Sequence, residues 1–383
     1  MLRPCPQNSP ALDVDASLVL SCTGGLMGAE FSREVVHWQK SHGRNSLPWQ
    51  NTRDPYRVWL SEIMLQQTQV ATVLGYYDRF LIKFPDVLSL SNATLDAVLA
   101  LWSGLGYYSR ARNLHACAID VLEKHGGTFP MTAEALQTLP GIGRSTAGAI
   151  ASLCFGERVA ILDGNVKRVL TRVLGFDADL ALAASERALW SRATEALPTK
   201  NLRENMQRYT QGMMDLGATV CTAKKPLCTI CPVNELCAAR HQGQPEKYPV
   251  KTRKLKRTSQ SLWLLWLQSP DGQVLLSKRP TPGIWAGLYC FALFDSREAL
   301  AASIPAQWTS KLEDVAVFTH VLTHKDLHLH PVRLTASKQA VHGVEGDWFS
   351  RVQIQNLGLP APVKKLLNAA ASHEQNSSGQ PAV

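Results

Sequence analysis

Four cysteines crowd residues 221–237: Cys221, Cys228, Cys231 and Cys237, spaced C-x6-C-x2-C-x5-C. Thiolates at such spacing bind either zinc or an iron–sulfur cluster, and four sulfur donors suit both. The other five cysteines are scattered among apolar or small neighbours, so the nine do not read as a disulfide framework. A second pattern is Leu-Pro-Gly-Ile-Gly at 139–143. Gly141 and Gly143 would permit positive φ, or let something approach the backbone closely. A tight turn feeding a helix also exposes N–H groups that the helix cannot use. They can grip a phosphate oxygen without reading base sequence. Two carboxylates complete the set. Glu62 lies in a helical stretch and Asp163 precedes Gly164-Asn165; read alone, they are a solvated helix residue and an N-cap.

The elements that must position these groups are helical from about residue 30 to 240. Asp54-Pro55 reads as an N-cap with proline at the first helical position, and Tyr56, Leu60, Ile63, Met64 and Gln67 follow at helical spacing. Further helices are expected at 132–138, 144–155, 161–174 and 185–197. After residue 257 the pattern changes: 261–268 and 273–278 flank Pro-Asp-Gly as a hairpin, and 315–322 and 327–334 read as strands. The fold class expected is mainly α, followed by an α+β unit at 258–368. Residues 1–29 read as a disordered extension, 241–257 as a basic linker and 369–383 as a disordered tail.

Length and charge narrow the function. A chain of 383 residues accommodates two or three domains. Its longest apolar run, at 261–267, is too short to span a bilayer, and Asp13 and Asp15 leave no signal core, so a cytoplasmic protein is expected. The net charge of +9 favours an anionic partner, and from Arg240 to Arg257 seven Lys/Arg face only Glu246.

The Leu-Pro-Gly-Ile-Gly turn resembles the helix-hairpin-helix of the endonuclease III superfamily of DNA repair glycosylases. Leu-Trp-Ser-Gly-Leu-Gly-Tyr-Tyr-Ser-Arg-Ala-Arg-Asn-Leu at 101–114 is similar to its other hairpin segment. Ile-Leu-Asp-Gly-Asn-Val-Lys-Arg-Val at 161–169 is similar to the strip with its essential aspartate. Val-Trp-Leu-Ser-Glu-Ile-Met-Leu-Gln-Gln-Thr-Gln-Val-Ala-Thr at 58–72 narrows the resemblance to the adenine glycosylases of that superfamily. The resemblance runs from about 31 to 368. It implies a two-lobed helical domain, with a six-helix lobe at about 55–163 and a cluster lobe at 30–54 plus 164–240. It also selects [4Fe–4S] over zinc for the four cysteines.

Removing adenine needs an acid to protonate the departing base and a carboxylate beside the cationic sugar. The resemblance implies Glu62 and Asp163 for these roles. It sets Gln67 and Tyr107 at intercalating positions, Thr68 and Leu105 near the orphaned base, and Trp49 and Gln211 at the adenine pocket. Asn165 falls in the DNA-contacting strip. Bifunctional members carry a lysine two residues beyond the second glycine, where this chain has Ser145. A hydroxyl forms no imine, so base removal without efficient strand cleavage is expected.

The C-terminal unit resembles the Nudix-like domain with which adenine glycosylases recognise 8-oxoguanine, chiefly through Pro-Gly-Ile-Trp-Ala-Gly-Leu-Tyr at 282–289. The only Arg-Glu pair within this unit, Arg297-Glu298, is followed by Ala-Leu-Ala-Ala, so the metal-binding box of a phosphohydrolase is missing. Where the family often has Phe-Ser-His, this chain has Leu322-Thr323-His324. The expected partner is double-stranded DNA with A opposite 8-oxoguanine or G, bound by a monomer and without a membrane. Two alternatives stay open: a bifunctional pyrimidine-damage lyase, and a non-catalytic DNA-binding protein on the same scaffold.

Overall fold

The computed structural model describes residues 16–252, 256–341 and 343–377, so residues 1–15, 253–255 and 378–383 of the expected extension, linker and tail lie outside the described residues. The chain divides into two compact units. The first comprises residues 1–59, 130–138 and 142–253; the second comprises 60–129, 139–141 and 254–383. These boundaries differ from the expected lobes. The segment 60–129 groups with the C-terminal α+β region, and most of 130–163 groups with the cluster region.

The first unit is built around the Leu202–Thr219 helix, which packs against the Ala16–His42 and Gly164–Leu174 helices. Close approach explains its glycines. A Cβ on Gly212 would lie 2.9 Å from Val35, and one on Gly217 would lie 2.5 Å from the Asn165 Cβ. The N-terminal helix begins at Ala16, so residues 16–29 continue a helix where an extension was expected. The helix expected at 144–155 changes to a π-helical turn at Ala151–Phe155 and stops at Gly156, φ +73°.

The basic linker is also less free than its charge suggests. Leu180 N–H donates to the Val250 carbonyl at 3.1 Å, Thr252 pairs with Asp179, and Tyr248 is buried with its hydroxyl on Gln242. Backbone groups, the Thr252 hydroxyl and Tyr248 fix this stretch.

In the second unit the Ser109–His125 helix packs on the short helices Val87–Ser91 and Leu95–Trp102. The sheet contains β1 (Thr258–Gln268), β2 (Val274–Lys278), β3 (Tyr289–Cys290), β4 (Ala292–Phe294), β5 (Glu313–Asp314), β6 (Phe318–Val321), β7 (Lys325–Thr335) and β8 (Asp347–Phe349). Its order is β3-β2-β1-β7-β5, with β4 on β1, β6 on β7 and β8 on β2. β1 and β7 pair in parallel along their full length, from Thr258↔Lys325 to Gln268↔Thr335, and the expected β1–β2 hairpin is antiparallel. Leu265, Leu267, Val332 and Leu334 form one core face, covered by Leu300 of the Arg297–Ala302 helix.

The α+β region is held to the 60–129 segment by specific bonds. The Leu359 carbonyl accepts from Tyr108 Oη at 2.8 Å and Ser103 Oγ at 3.1 Å, and Arg112 donates to the Ala286 carbonyl at 2.8 Å. The expected tail is helical to Ser377, because Ala369-Ala370-Ala371 prolongs the Ala361–Ser377 helix with strong helix formers.

Candidate active site and cluster loop

Asp163 ends the extended strip before the Gly164–Leu174 helix and is its N-cap. Its carboxylate accepts from Val166 N–H at 2.7 Å. Burial raises its pKa, while the cap bonds from Val166 and Asn165 and the Arg168 charge pull it back. The strip is held from the side by Ser145, whose Oγ accepts from Leu162 N–H at 3.1 Å. Gly148, one turn on, lies so close to the Ala160 carbonyl that a Cβ would sit 2.7 Å from it. Asn165 Oδ1 accepts from Arg168, whose guanidinium also reaches the carbonyls of Gly217 (2.6 Å) and Cys221 (2.7 Å). Arg168 therefore couples the strip to the first cysteine of the loop, a link no local pattern signals.

The four cysteines line one cavity, walled by Val169, Val173, Leu216 and Val220. Arg172, almost fully buried, donates to Cys221 Sγ at 3.3 Å and to the Thr222 and Ala223 carbonyls. Burial pushes the Cys231 thiol up to about 12 and raises that of Cys237 as well. A bound iron–sulfur group would take these sulfurs as thiolates, reversing that preference. Four sulfurs in an apolar cavity beside an arginine fit such a group. The histidines of β6 and β7 gather no such site: among the described residues no group of three or more His, Cys, Asp or Glu is poised to hold a single metal ion.

The Leu-Pro-Gly-Ile-Gly turn joins the Ala133–Leu136 and Arg144–Ile150 helices. Gly141 meets both reasons for a glycine: φ is +75°, and a Cβ would lie 2.6 Å from that of Asn113. Gly143 meets neither reason within the protein. Its φ of −83° suits any residue, and a Cβ there would point into open space.

Glu62 lies half-buried on the Pro55–Leu65 helix, in the second unit, whereas Asp163 lies in the first. In the second unit, Gln67 and Tyr107 are exposed and both have positive φ, +55° and +47°. The Tyr107 hydroxyl meets Thr323 Oγ1 at 2.7 Å, across 216 residues of sequence. Arg257 braces the same turn by donating to the Thr323 carbonyl and pairing with Asp326, and the His324 carbonyl accepts from Thr258 N–H. Thr68 sits beside this hairpin region, its Oγ1 accepting from Arg110 at 3.2 Å. Leu105 differs from expectation. Its side chain is buried, packing inward from the loop.

In the first unit, Trp49 and Gln211 line one polar cavity with Asn45, Gln50 and Arg208. Gln211 is oriented by the buried Asp215 carboxylate, which also accepts from Arg44 N–H and Nε at 3.0 and 2.7 Å. Sequence reading missed Asp215, Arg44 and Arg110. The legible signal was a charged residue on the apolar stripe of an amphipathic helix, as Arg110 is in 110, 114, 117, 118, 121.

A helix-hairpin-helix scaffold with a four-cysteine loop and an α+β domain defines the class of base excision DNA repair proteins. Three family models match accordingly: the HhH-GPD superfamily base excision DNA repair protein at 60–194, the iron-sulfur binding domain of endonuclease III at 221–237, and the NUDIX domain at 263–369. The adenine DNA glycosylase of Buchnera aphidicola subsp. Acyrthosiphon pisum (strain APS) is 38% identical, covering 88% of this chain and 96% of that one. The adenine DNA glycosylase of Mus musculus is 33% identical, covering 91% of this chain and 79% of that one. A solved thermostable thymine-DNA glycosylase aligns with TM-score 0.50 at 27% identity, covering 58% of this chain and 99% of its own. The chain belongs to the adenine DNA glycosylase family. It is a base excision repair enzyme that removes adenine from DNA, and it carries a [4Fe–4S] cluster.

Proposed function

We propose that this glycosylase is monofunctional and acts on adenine opposite 8-oxoguanine or guanine in duplex DNA. The observation that carries this reading is that Ser145 Oγ accepts from the N–H of Leu162, the residue just before Asp163. A carboxylate held by a helix N-terminus stands beside a strip pinned by a hydroxyl, where a lyase would need an amine. Glu62 gives its proton to the purine ring, the ionised Asp163 stabilises the positive charge growing at C1′, and water completes hydrolysis. Gln67 and Tyr107 enter the base stack when adenine is extruded. Trp49 and Gln211 line the pocket that receives it, and Asn165 contacts the DNA beside Asp163.

Thr323 and His324, with Thr68 and the loop that carries Leu105, face the base left behind. The Tyr107–Thr323 bond supports this, because it joins a wedge residue to the turn that senses the lesion. Gly141 and Gly143 admit a phosphate to the turn's N–H groups. Cys221, Cys228, Cys231 and Cys237 ligate the cluster, which supplies a rigid four-point tether when bound. In this reading the enzyme works as a monomer in the cytoplasm.

The test is an excision assay on A·8-oxoG, A·G, A·C and T·G duplexes, read with and without alkali. Breaks should appear on the first two duplexes, and only after alkali. Breaks without alkali at the rate of base loss, or equal excision on all four duplexes, would contradict the reading.

A further inference from the structure

Arg110 occupies a position that composition alone would give to leucine. It lies in the first turn of the Ser109–His125 helix, on the stripe that continues through Leu114, Cys117 and Val121, and it is 7% exposed. A permanent cation is costly there unless its donors are well used. Nη1 donates to the carbonyls of Ile63 (2.9 Å), Met64 (2.8 Å) and Gln66 (2.6 Å). Nη2 donates to Thr68 Oγ1, the Leu105 carbonyl and the Gly106 carbonyl, each at 3.2 Å. The first set includes carbonyls that end the Glu62 helix and have no partner within it. The second set reaches the loop ahead of Arg110's own helix. One planar cation thus ties together two loops distant in sequence.

What those loops share is strain. Gln67 and Tyr107 both hold the left-handed backbone conformation, which disfavours residues bearing a side chain. Arg110 holds groups at both positions: the Gln66 carbonyl and Thr68 hydroxyl bracket Gln67, and the Gly106 carbonyl immediately precedes Tyr107. The guanidinium also lies 5.5 Å from the Tyr107 ring and 5.2 Å from that of Trp102, whose Nε1 donates to the same Gly106 carbonyl. Lysine could supply the charge but not the planar fork.

We propose that Arg110 is a positioning residue for base extrusion, locking Gln67 and Tyr107 as a pre-set pair of wedges before DNA binds. This rests on the reading of those two residues as intercalating. Burial draws the Arg110 pKa down to about 10, so the cation that binds both loops persists at neutral pH. The step that depends on Arg110 is therefore the opening of the duplex, not cleavage of the glycosidic bond.

The experiment uses the full-length, cluster-loaded protein and four variants: Arg110→Lys, Thr68→Val, Tyr107→Ala and, as a packing control on the same helix, Leu114→Ala. Extrusion is read by 2-aminopurine fluorescence at the target position. Single-turnover excision is compared between a paired adenine and one left unstacked opposite a gap. Arg110→Lys should lose on the order of 10- to 100-fold on the duplex, as expected if part of the unstacking cost is no longer met. It should lose much less on the unstacked adenine, with a 2-aminopurine signal reduced as in Tyr107→Ala.

Thr68→Val, which keeps the cation and removes one acceptor, should show the same split at smaller size. Leu114→Ala should lower Tm without the split. Equal loss on both substrates, or a split reproduced by Leu114→Ala, would reduce Arg110 to a structural residue. An impaired Tyr107→Ala beside a normal Arg110→Lys overturns the role of Arg110 alone. Normal extrusion by Tyr107→Ala overturns the wedge reading, and this proposal with it.

Discussion

Replacing Asp163 by asparagine, serine and alanine separates two roles that the residue fills at once. As an N-cap it satisfies Val166 N–H at 2.7 Å. Asparagine and serine cap about as well as aspartate, whereas alanine should cost about 1 kcal/mol of stability. As a carboxylate beside a developing cation it is worth far more. Two unit charges about 4 Å apart interact by roughly 4 kcal/mol at a surface-like effective dielectric near 20. If about two-thirds of that survives as a difference between ground and transition states, the rate falls by about 10²-fold. Asp163→Asn and Asp163→Ser should therefore keep near-native denaturation midpoints and lose about 10²-fold or more in single-turnover excision. Asp163→Ala should lose both.

The pH profile gives an independent check on the same series. Burial raises the Asp163 pKa, so the native enzyme should lose activity as pH falls through a value above the ordinary aspartate figure of about 3.9. That acid limb should vanish from the residual activity of Asp163→Asn. Near-normal excision by Asp163→Asn, with unchanged stability, would leave Asp163 as a cap and nothing more.

Glu62→Gln preserves size and hydrogen bonding but removes the transferable proton, so DNA binding should survive while single-turnover excision nearly stops. Purified protein should be yellow-brown with about four irons per chain, as four-thiolate ligation of the cluster implies; stoichiometric zinc in anaerobically purified protein would count against it. Tyr107→Phe keeps the ring and loses the 2.7 Å bond to Thr323, so the preference for A·8-oxoG over A·G should fall by about 3- to 10-fold, the worth of one net hydrogen bond. An unchanged ratio of the two rates would detach Tyr107 from lesion recognition.

The parts of this protein that the sequence announced are those specified by neighbours in the chain. Asp54-Pro55 starts a helix because both the side-chain oxygen and the proline act within one turn, and Tyr56 N–H does donate to Asp54 Oδ1 at 3.0 Å. Pro-Asp-Gly likewise produced the β1–β2 hairpin. The cluster loop was legible because four ligands fall within one short segment. Contacts made across the chain left no such mark. Tyr107 and Thr323, Arg110 and Ile63, or Arg44 and Asp215 are joined only once several elements have packed. The linker misled because its charge dominates its composition, while its docking rests on backbone groups, Thr252, Tyr248 and Arg257 at its end.

The parallel β1–β7 pair has a consequence for how the chain is made. β1 leaves the ribosome as Leu-Trp-Leu-Leu-Trp-Leu, and the strand that covers its full length is not complete until Thr335. At roughly 5–20 residues per second, that apolar strand waits several seconds without its main neighbour. The β2 hairpin can shield only its far end, since the β1–β2 register starts at Gln268↔Val274. Lys256 and Arg257 on one side and Asp271 on the other then act as charged gatekeepers during synthesis. The long parallel pairing therefore leaves β1 open to aggregation during synthesis until β7 is complete.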